Sequence, residues 1–298
     1  MNHIELTLPD NRTLEIHWSG QPTDRAIVFH HGTPGASLTW ESWLPTVADE
    51  GGFGIAYSRA GYGQSARNEG RTVIDNTHDI AAIVKYFGLT SFVSIGWSGG
   101  GPHCLADTVL PQSVAAISIA GVGAYGVPDL NFLEGMGEEN HVEFSAAVAG
   151  SAEIEKWMQE YSDGTAKVTG PQLIEALGGL IGPADKQILT PEVAELVAQE
   201  FRYGLKSGYY GWMDDDLAFV QPWGFDLSQI SKPVELWQGD EDFMVPHAHG
   251  QWLAAKIPHA ELHIVPGEGH ISLGIHMRAQ IIRRALKYLK SELSAIDA

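Results

Sequence analysis

The sequence predicts an α/β fold: a mostly parallel β-sheet with helices on its faces and a helical insertion in the second half of the chain. Three observations indicate this fold. Short apolar runs are typical of buried strands, helix-period segments separate them, and one long stretch contains no such run. With 298 residues, of which 44% are hydrophobic, the chain is long enough to bury a sizeable core.

The first element is expected to be a β-hairpin at an edge of the sheet. Residues 4–8 and residues 13–18 alternate apolar and polar side chains, which is the pattern of half-buried strands. Pro9, Asp10 and Asn11 lie between the two segments and favour a turn.

The interior strands are predicted at residues 26–29, 53–57, 92–95 and 114–119. Each is a short, continuous apolar run, as expected for strands buried on both faces of a parallel sheet. Ile80, Ile83, Val84 and Phe87 recur at the spacing of one helix face, and Gly88 then ends that helix. Strands and helices that alternate in this way predict parallel strands joined by crossover helices.

Residues 127–222 break this pattern, because they contain no convincing buried strand. Thr190 and Pro191 are suited to the first positions of a helix, and the stretch has a large excess of acidic over basic side chains. We predict that residues 127–222 form a helical cap, called the helical insertion below. Residues 1–126 and 223–298 would then form the α/β domain.

The α/β pattern resumes after the insertion. A strand is predicted at residues 233–237, a helix at residues 247–256 and another strand at residues 262–265. A final amphipathic helix is marked by the apolar residues Ile281, Ile282, Ala285, Leu286 and Leu289.

Composition narrows the classes of partner. The net charge is −19, so phosphate backbones and anionic membrane surfaces are not expected partners. The single cysteine, Cys104, cannot form an internal disulfide, and the first residues show neither a basic start nor an apolar run. We therefore expect a cytoplasmic protein with a small-molecule substrate, and leave open whether it is a monomer or a homo-oligomer.

The segment Gly96-Trp97-Ser98-Gly99-Gly100 follows a predicted buried strand and precedes a helix-compatible stretch. This is the G-x-S-x-G pattern, which needs a sharp turn from strand to helix that exposes the serine hydroxyl. The string also arises by chance in glycine-rich chains, so its position after a strand is what predicts a nucleophile at Ser98.

A serine nucleophile needs a base and a group that orients the base. On this topology they follow in the order serine, acid, histidine. Gly239-Asp240-Glu241-Asp242 follows one predicted strand, and Gly269-His270 follows the next. We predict His270 as the general base and Asp242 as its orienting acid, with Asp240 as the alternative acid.

Together these motifs resemble the α/β-hydrolase superfamily over nearly the whole chain. The matching segments are residues 31–35 (HGTPG), 57–65, 96–100, 239–246 and 269–270. The resemblance implies an eight-stranded, mostly parallel sheet with a helical cap over an active site. It also implies that the backbone N–H groups of Thr33 and Gly99 form an oxyanion hole.

By this resemblance, the expected activity is hydrolysis of a small, largely apolar ester, lactone or amide through an acyl-enzyme on Ser98. Haloalkane dehalogenases and many epoxide hydrolases carry an aspartate at that position. Proline iminopeptidase or carbon–carbon bond hydrolase is the alternative activity, although Thr33 and Trp97 depart from the iminopeptidase pattern. A non-catalytic binding protein or receptor on the same fold is the alternative of another class.

The substrate pocket is predicted to include Trp97, Trp212 and Asp215. Residues 209–216 mix aromatic and acidic side chains, and we expect an aromatic anchor beside a solvated turn. An anionic wall that receives a substrate amine is the alternative. His103 and Cys104 are expected to pack inside a helix, and the sequence shows no metal-ligand cluster and no dinucleotide fingerprint, so no cofactor and no metal is expected.

Overall fold

The computed structural model describes the backbone of residues 1–296 and the side chains of residues 1–290. Its sheet contains β1 (Asn2–Thr7), β2 (Thr13–Ser19), β3 (Arg25–His30), β4 (Gly54–Tyr57), β5 (Ser91–Trp97), β6 (Ser113–Ile119), β7 (Val234–Gly239) and β8 (Glu261–Val265). These eight strands lie side by side in the order β1-β2-β4-β3-β5-β6-β7-β8.

The predicted α/β fold with a mostly parallel sheet is confirmed. Strands β3 to β8 pair in parallel, and β2 is antiparallel to both of its neighbours. The hairpin of β1 and β2 forms one edge, with His3 opposite His17. The short apolar runs are interior strands, as their lack of alternation indicated.

The helices are α1 (Trp43–Asp49), α2 (Asn76–Phe87), α3 (Gly100–Ala106), α4 (Glu138–Ala149), α5 (Ser151–Thr165), α6 (Gly170–Ala176), α7 (Pro183–Ile188), α8 (Pro191–Gly204), α9 (Tyr210–Phe219), α10 (Ala248–Lys256) and α11 (His270–Ile296). Two predicted helix signals have a direct cause in the structure. Gly88 ends α2 with a left-handed φ of 67°. The Thr190 hydroxyl accepts the N–H of Val193 at 3.3 Å, and Pro191 opens α8.

Two apolar layers bury the two faces of the sheet. On one face Phe29 and Ile95 pack with Ile282 of α11 and with α1. On the other face Val28 and Phe92 pack with Ile83 of α2. Neighbouring residues of one strand thus reach opposite layers, because side chains alternate along a strand.

Helices α4 to α9 belong to the helical insertion and follow β6 in the chain. Most of their buried apolar side chains lie in two clusters. One packs Leu173 and Leu177 against Ile271 of α11, and the other packs Met158 and Trp212 against Tyr62, which follows β4. The insertion therefore rests on the loops at the carboxyl ends of the strands. No helix in the described part of the chain is both long and apolar enough to cross a bilayer.

Candidate active site

Ser98 lies in the turn between β5 and α3, and its backbone has a left-handed φ of 56°. A non-glycine residue adopts this conformation only when its surroundings enforce it. The Ser98 N–H donates to the carbonyl of Ile119 at 2.8 Å, and its own carbonyl accepts the N–H of Gly101 at 2.9 Å. These bonds fix the turn, and the half-buried Ser98 lines a cavity.

The glycines of the motif have a steric reason. A Cβ on Gly96 would collide with the carbonyl oxygen of Gly100, and a Cβ on Gly100 would collide with the carbonyl oxygen of His30. Strand β5, helix α3 and strand β3 therefore approach each other at backbone distance, which only glycine allows.

The structure brings Asp242 and His270 together from loops that follow adjacent strands. Nδ1 of His270 lies 2.8 Å from Oδ2 of Asp242. The other carboxylate oxygen, Oδ1, accepts the N–H groups of Met244 at 2.9 Å and Val245 at 2.8 Å, so the carboxylate is held in place. The alternative acid, Asp240, instead binds the N–H of Gly267 at the surface.

Burial and charge act in opposite directions on His270. Burial lowers the pKa of its imidazole, whereas the Asp242 carboxylate raises it by charge and by hydrogen bonding, and the net pKa lies above the ordinary value. His270 and Ser98 line the same small cavity of about 110 Å³, next to Trp97. The imidazole is therefore a base of raised strength beside the serine turn.

Asp185 of the helical insertion is a site residue that the sequence analysis missed. Its carboxylate is completely buried and accepts the N–H groups of His270 at 3.0 Å, Ile271 at 2.9 Å and Ser272 at 2.9 Å. These are the first N–H groups of α11, which otherwise have no acceptor within the helix. This contact explains why α11 begins as early as His270, ahead of the amphipathic stretch that predicted it.

A neutral histidine and an arginine fix the loop after β3, which contains Thr33. His31 donates from Nδ1 to the carbonyl of Gly32 at 2.7 Å and accepts the Arg59 N–H at Nε2, 2.9 Å away. Burial and the nearby Arg59 charge hold the pKa of His31 well below its ordinary value. The Arg59 guanidinium also donates to the carbonyls of His31 and Gly32.

Asp215 lies beneath this loop and does not line the cavities beside Ser98. It is completely buried, with Oδ2 2.6 Å from Nη2 of Arg59 and Oδ1 2.6 Å from Nη1 of Arg71. The hydroxyls of Thr33 and Tyr62 donate to it at 2.7 Å and 2.9 Å. Its role in the structure is to fix the Thr33 loop to α9.

The expectation of a solvated turn at residues 209–216 is wrong. Asp214, Asp215 and Asp216 lie within α9 and are all buried. The physical reason is that arginines from the loop after β4 pair with two of them, which removes most of the cost of burying their charge.

The other predicted site residues lie around the serine turn. A Cβ on Gly99 would collide with the Thr33 hydroxyl, so the two residues whose N–H groups are predicted to bind the oxyanion are direct neighbours. The ring of Trp97 packs against Trp40, Trp43 and the imidazole of His270. Trp212 lies in the wall of the larger cavity.

The larger cavity has a volume of about 620 Å³ and reaches from the serine turn into the helical insertion. Thr33, Ser98 and Gly99 lie at one end of it. The walls are mainly apolar and aromatic, and include Phe144, Trp157, Tyr161, Leu173, Trp212 and Phe219. A space of this size and lining suits a small, largely apolar molecule.

Acidic side chains are the exception in these walls. Glu143 of α4 and Asp216 of α9 lie side by side in the large cavity, and Nε1 of Trp212 donates to Glu143 at 2.6 Å. Burial raises the pKa of Glu143 to about 7, and burial together with the Glu143 carboxyl raises the pKa of Asp216 well above its ordinary value. In the small cavity, burial raises the pKa of Glu200 to about 8. Of these three, only Asp216 lies in a segment singled out from the sequence, residues 209–216.

Within the described residues, His3, Glu15 and His17 form the grouping with metal-ligand chemistry, at the hairpin edge of the sheet. The Glu15 carboxylate already accepts hydrogen bonds from Ser58, Gln64 and Tyr203. Since these bonds occupy its lone pairs, the grouping is poorly suited to an ion.

Comparisons with known proteins agree with this geometry. The family model described as alpha/beta hydrolase fold matches residues 25–276. The chain is 28% identical over 263 residues to a non-heme haloperoxidase from Rhodococcus erythropolis, covering 86% of this chain and 89% of that one. It is 26% identical over 257 residues to a bifunctional esterase/perhydrolase from Acinetobacter calcoaceticus, covering 84% of this chain and 86% of that one.

A solved structure shows the same fold at low identity. The thermophilic esterase from Thermogutta terrifontis superposes with a TM-score of 0.71 at 20% identity, covering 96% of this chain and 98% of that one.

Replacing Asp185 with alanine is expected to lower the free energy of unfolding by about 2–3 kcal/mol, because three buried N–H groups of α11 lose their acceptor. Urea unfolding followed by circular dichroism measures this. Asp163→Ala, at an exposed site, is the control and should change stability by less than about 0.5 kcal/mol. Equal effects of the two substitutions would contradict the assigned role.

The raised pKa of Glu143 predicts a pH-dependent stability. The folded protein holds this proton more tightly than the unfolded chain, so its contribution is present at low pH and is lost as pH rises from about 4.5 to about 7. Between pH 4 and pH 8, the difference in free energy of unfolding between Glu143→Gln and the wild type should therefore shift by about 1–2 kcal/mol in favour of the variant. Urea unfolding at both pH values tests this, and a pH-independent difference would refute it.

Proposed function

The chain belongs to the α/β-hydrolase family, and from this premise we propose that it is a serine hydrolase of a small, largely apolar ester, lactone or amide. The observation that carries the proposal is the position of Ser98. It is held at a left-handed φ in the turn after β5 and lines the same cavity as His270, whose other side is bonded to Asp242. The esterase named among the similar proteins supports the ester as substrate.

In the first step, Ser98 Oγ attacks the substrate carbonyl carbon while Nε2 of His270 takes the hydroxyl proton. Asp242 keeps the imidazole proton on Nδ1 and stabilises the imidazolium that forms. The C–O or C–N bond to the leaving group then breaks, and His270 returns its proton to that group. The products of this step are a free alcohol or amine and an acyl group on Ser98; a lactone ring keeps both on one molecule.

The negative charge on the carbonyl oxygen requires fixed donors. The backbone N–H groups of Thr33 and Gly99 are proposed for this role, and these residues are in contact beside Ser98. The Thr33 loop cannot relax toward solvent, because Arg59 and Asp215 hold its side chain and the neighbouring carbonyls. Donors that are already in place need little reorganisation during the reaction.

In the second step, water attacks the acyl carbon while His270 takes its proton; the bond from the acyl carbon to Ser98 Oγ then breaks, His270 returns the proton to Oγ, and the acid is released. The cavity of about 620 Å³ gives room for the substrate beyond the carbonyl. Its apolar walls favour substrates with few charges, apart from the acidic pair described above.

Ser98→Ala should abolish the hydrolysis of p-nitrophenyl acetate, with a loss of at least about 10³-fold in kcat/KM, because no nucleophile remains. Release of p-nitrophenol measures the rate, and unchanged melting temperature shows that the variant is folded. If wild type and variant release product equally slowly, the chain is a non-catalytic binding protein on this fold.

The raised pKa of His270 predicts that kcat/KM falls as pH drops through a value above 6.5, since only the neutral imidazole accepts the proton. Asp242→Asn should move this limb to lower pH and reduce kcat by about 10³–10⁴-fold. Asp240→Asn is the matched control, since its side chain binds a surface N–H, and it should leave the profile unchanged. If the acid limb of the kcat/KM profile does not move in Asp242→Asn, the pairing of Asp242 with His270 is contradicted.

A further inference from the structure

Asp216 stands out among the three consecutive acids of α9. Asp214 pairs with Arg67 at 2.8 Å, and Asp215 pairs with Arg59 at 2.6 Å. Asp216 is only 1% exposed, yet its Oδ2 receives no hydrogen bond from an N–H group or a hydroxyl of the described residues. Leaving a buried carboxylate oxygen without a hydrogen-bond donor costs free energy. This oxygen therefore calls for a donor from a bound molecule.

The neighbours of Asp216 do not neutralise it. The carboxyl of Glu143 lies within hydrogen-bonding reach of Asp216, so the two acids share a proton when nothing else is bound. The Glu143 carboxyl itself receives the Trp212 N–H. Arg71 forms its ion pair with Asp215, at 2.6 Å, and acts on Asp216 through its charge alone.

Helix geometry places this acidic pair close to the reacting centre. Trp212, Asp216 and Phe219 all line the large cavity and lie on one face of α9, at spacings of four and three residues. The ring of Phe219 touches the position where a Cβ on Gly99 would lie. Asp216 is therefore about one helical turn, some 5 Å along the axis of α9, from Phe219, which packs on the serine turn.

The rest of the wall around the pair is aromatic. Trp157 and Trp212 meet edge to face with centroids 5.3 Å apart, and Tyr161 stacks on Trp157 at 5.1 Å. Aromatic faces beside carboxylates form an environment that attracts cations. The remaining charged groups of the cavity lining are Glu139, Asp163 and Lys167, and the last two are exposed and paired with each other.

We propose that Glu143 and Asp216 form the binding site for a protonated amine of the substrate, about one helical turn along α9 from Phe219, whose ring packs on the serine turn. The proposal rests on the proposed hydrolase function and specifies its substrate class: an ester, lactone or amide that carries a basic nitrogen. The ammonium group supplies the donors that Asp216 lacks and replaces the shared proton. Its N–H groups bridge the two carboxylates, and its carbon chain lies along the aromatic wall.

The test measures binding without turnover, by titration calorimetry at pH 8. The probes are 3-phenylpropylamine and 3-phenylpropan-1-ol, which match in shape and differ in charge. We expect the amine to bind at least about tenfold more tightly than the alcohol, as charge-assisted hydrogen bonds do. Asp216→Asn and Glu143→Gln should each reduce this preference to less than about threefold. Asp163→Asn, which removes an exposed acid of the same cavity, should retain it.

Two results would overturn the inference: equal affinity for amine and alcohol in the wild type, or a preference for the amine that survives in both Asp216→Asn and Glu143→Gln. Both variants keep the side-chain shape and remove an uncompensated buried acid, so they should melt at or above the wild-type temperature. Binding does not need the nucleophile, so Ser98→Ala should show the same preference. A wild type that hydrolyses no ester but prefers the amine would refute only the hydrolase proposal, and a wild type that hydrolyses esters without this preference would refute only the amine site.

Discussion

The buried contact between Asp215 and Arg59 connects the two parts of the chain from which the site is assembled. Asp215 comes from α9 of the helical insertion, and Arg59 comes from the loop after β4. Between them they hold the Thr33 hydroxyl and the carbonyl of Gly32. Removal of one partner of a buried pair costs about 3–5 kcal/mol, because the other charge is left without compensation. The position of the loop beside Ser98 therefore depends on residues more than 150 positions apart.

Three neighbouring aspartates of one helix illustrate how environment, and not residue type, decides what an acid does. Asp214 faces Arg67 near the surface, Asp215 faces two arginines below the Thr33 loop, and Asp216 faces the cavity beside Glu143. The arginines hold the pKa of Asp215 well below its ordinary range although its burial opposes this, whereas burial and the Glu143 charge raise the pKa of Asp216. Successive helix positions differ by about 100°, so adjacent acids meet entirely different surroundings.

The sequence predicted the strands, the helices and the mostly parallel sheet well, because these elements leave local signals. Apolar runs marked the interior strands, and the turn around Ser98 could be recognised from its glycines and its position after a strand. Asp185, Glu143 and Glu200 left no such signal, since each lies within a helix of the insertion and acts through contacts with distant segments. The error at residues 209–216 has the same origin. A run of acids resembles a solvated turn until the arginines that bury it are known, and Arg67 and Arg59 are about 150 positions away in the chain.

The position of His270 shows that the insertion does more than cover the sheet. The strand-end loop supplies Asp242, which holds the ring at Nδ1, and the insertion supplies Asp185, which holds the backbone at the start of α11. A Cβ on Gly269 would lie about 2.5 Å from the Asp185 carboxylate, so the insertion approaches this loop at a distance that only glycine permits. Any shift of the insertion would therefore move the imidazole, the Thr33 loop and the Asp216 wall together. Under the proposed mechanism, the same rigid contacts that shape the substrate cavity also set the geometry of proton transfer, so specificity and reactivity cannot vary independently in this chain.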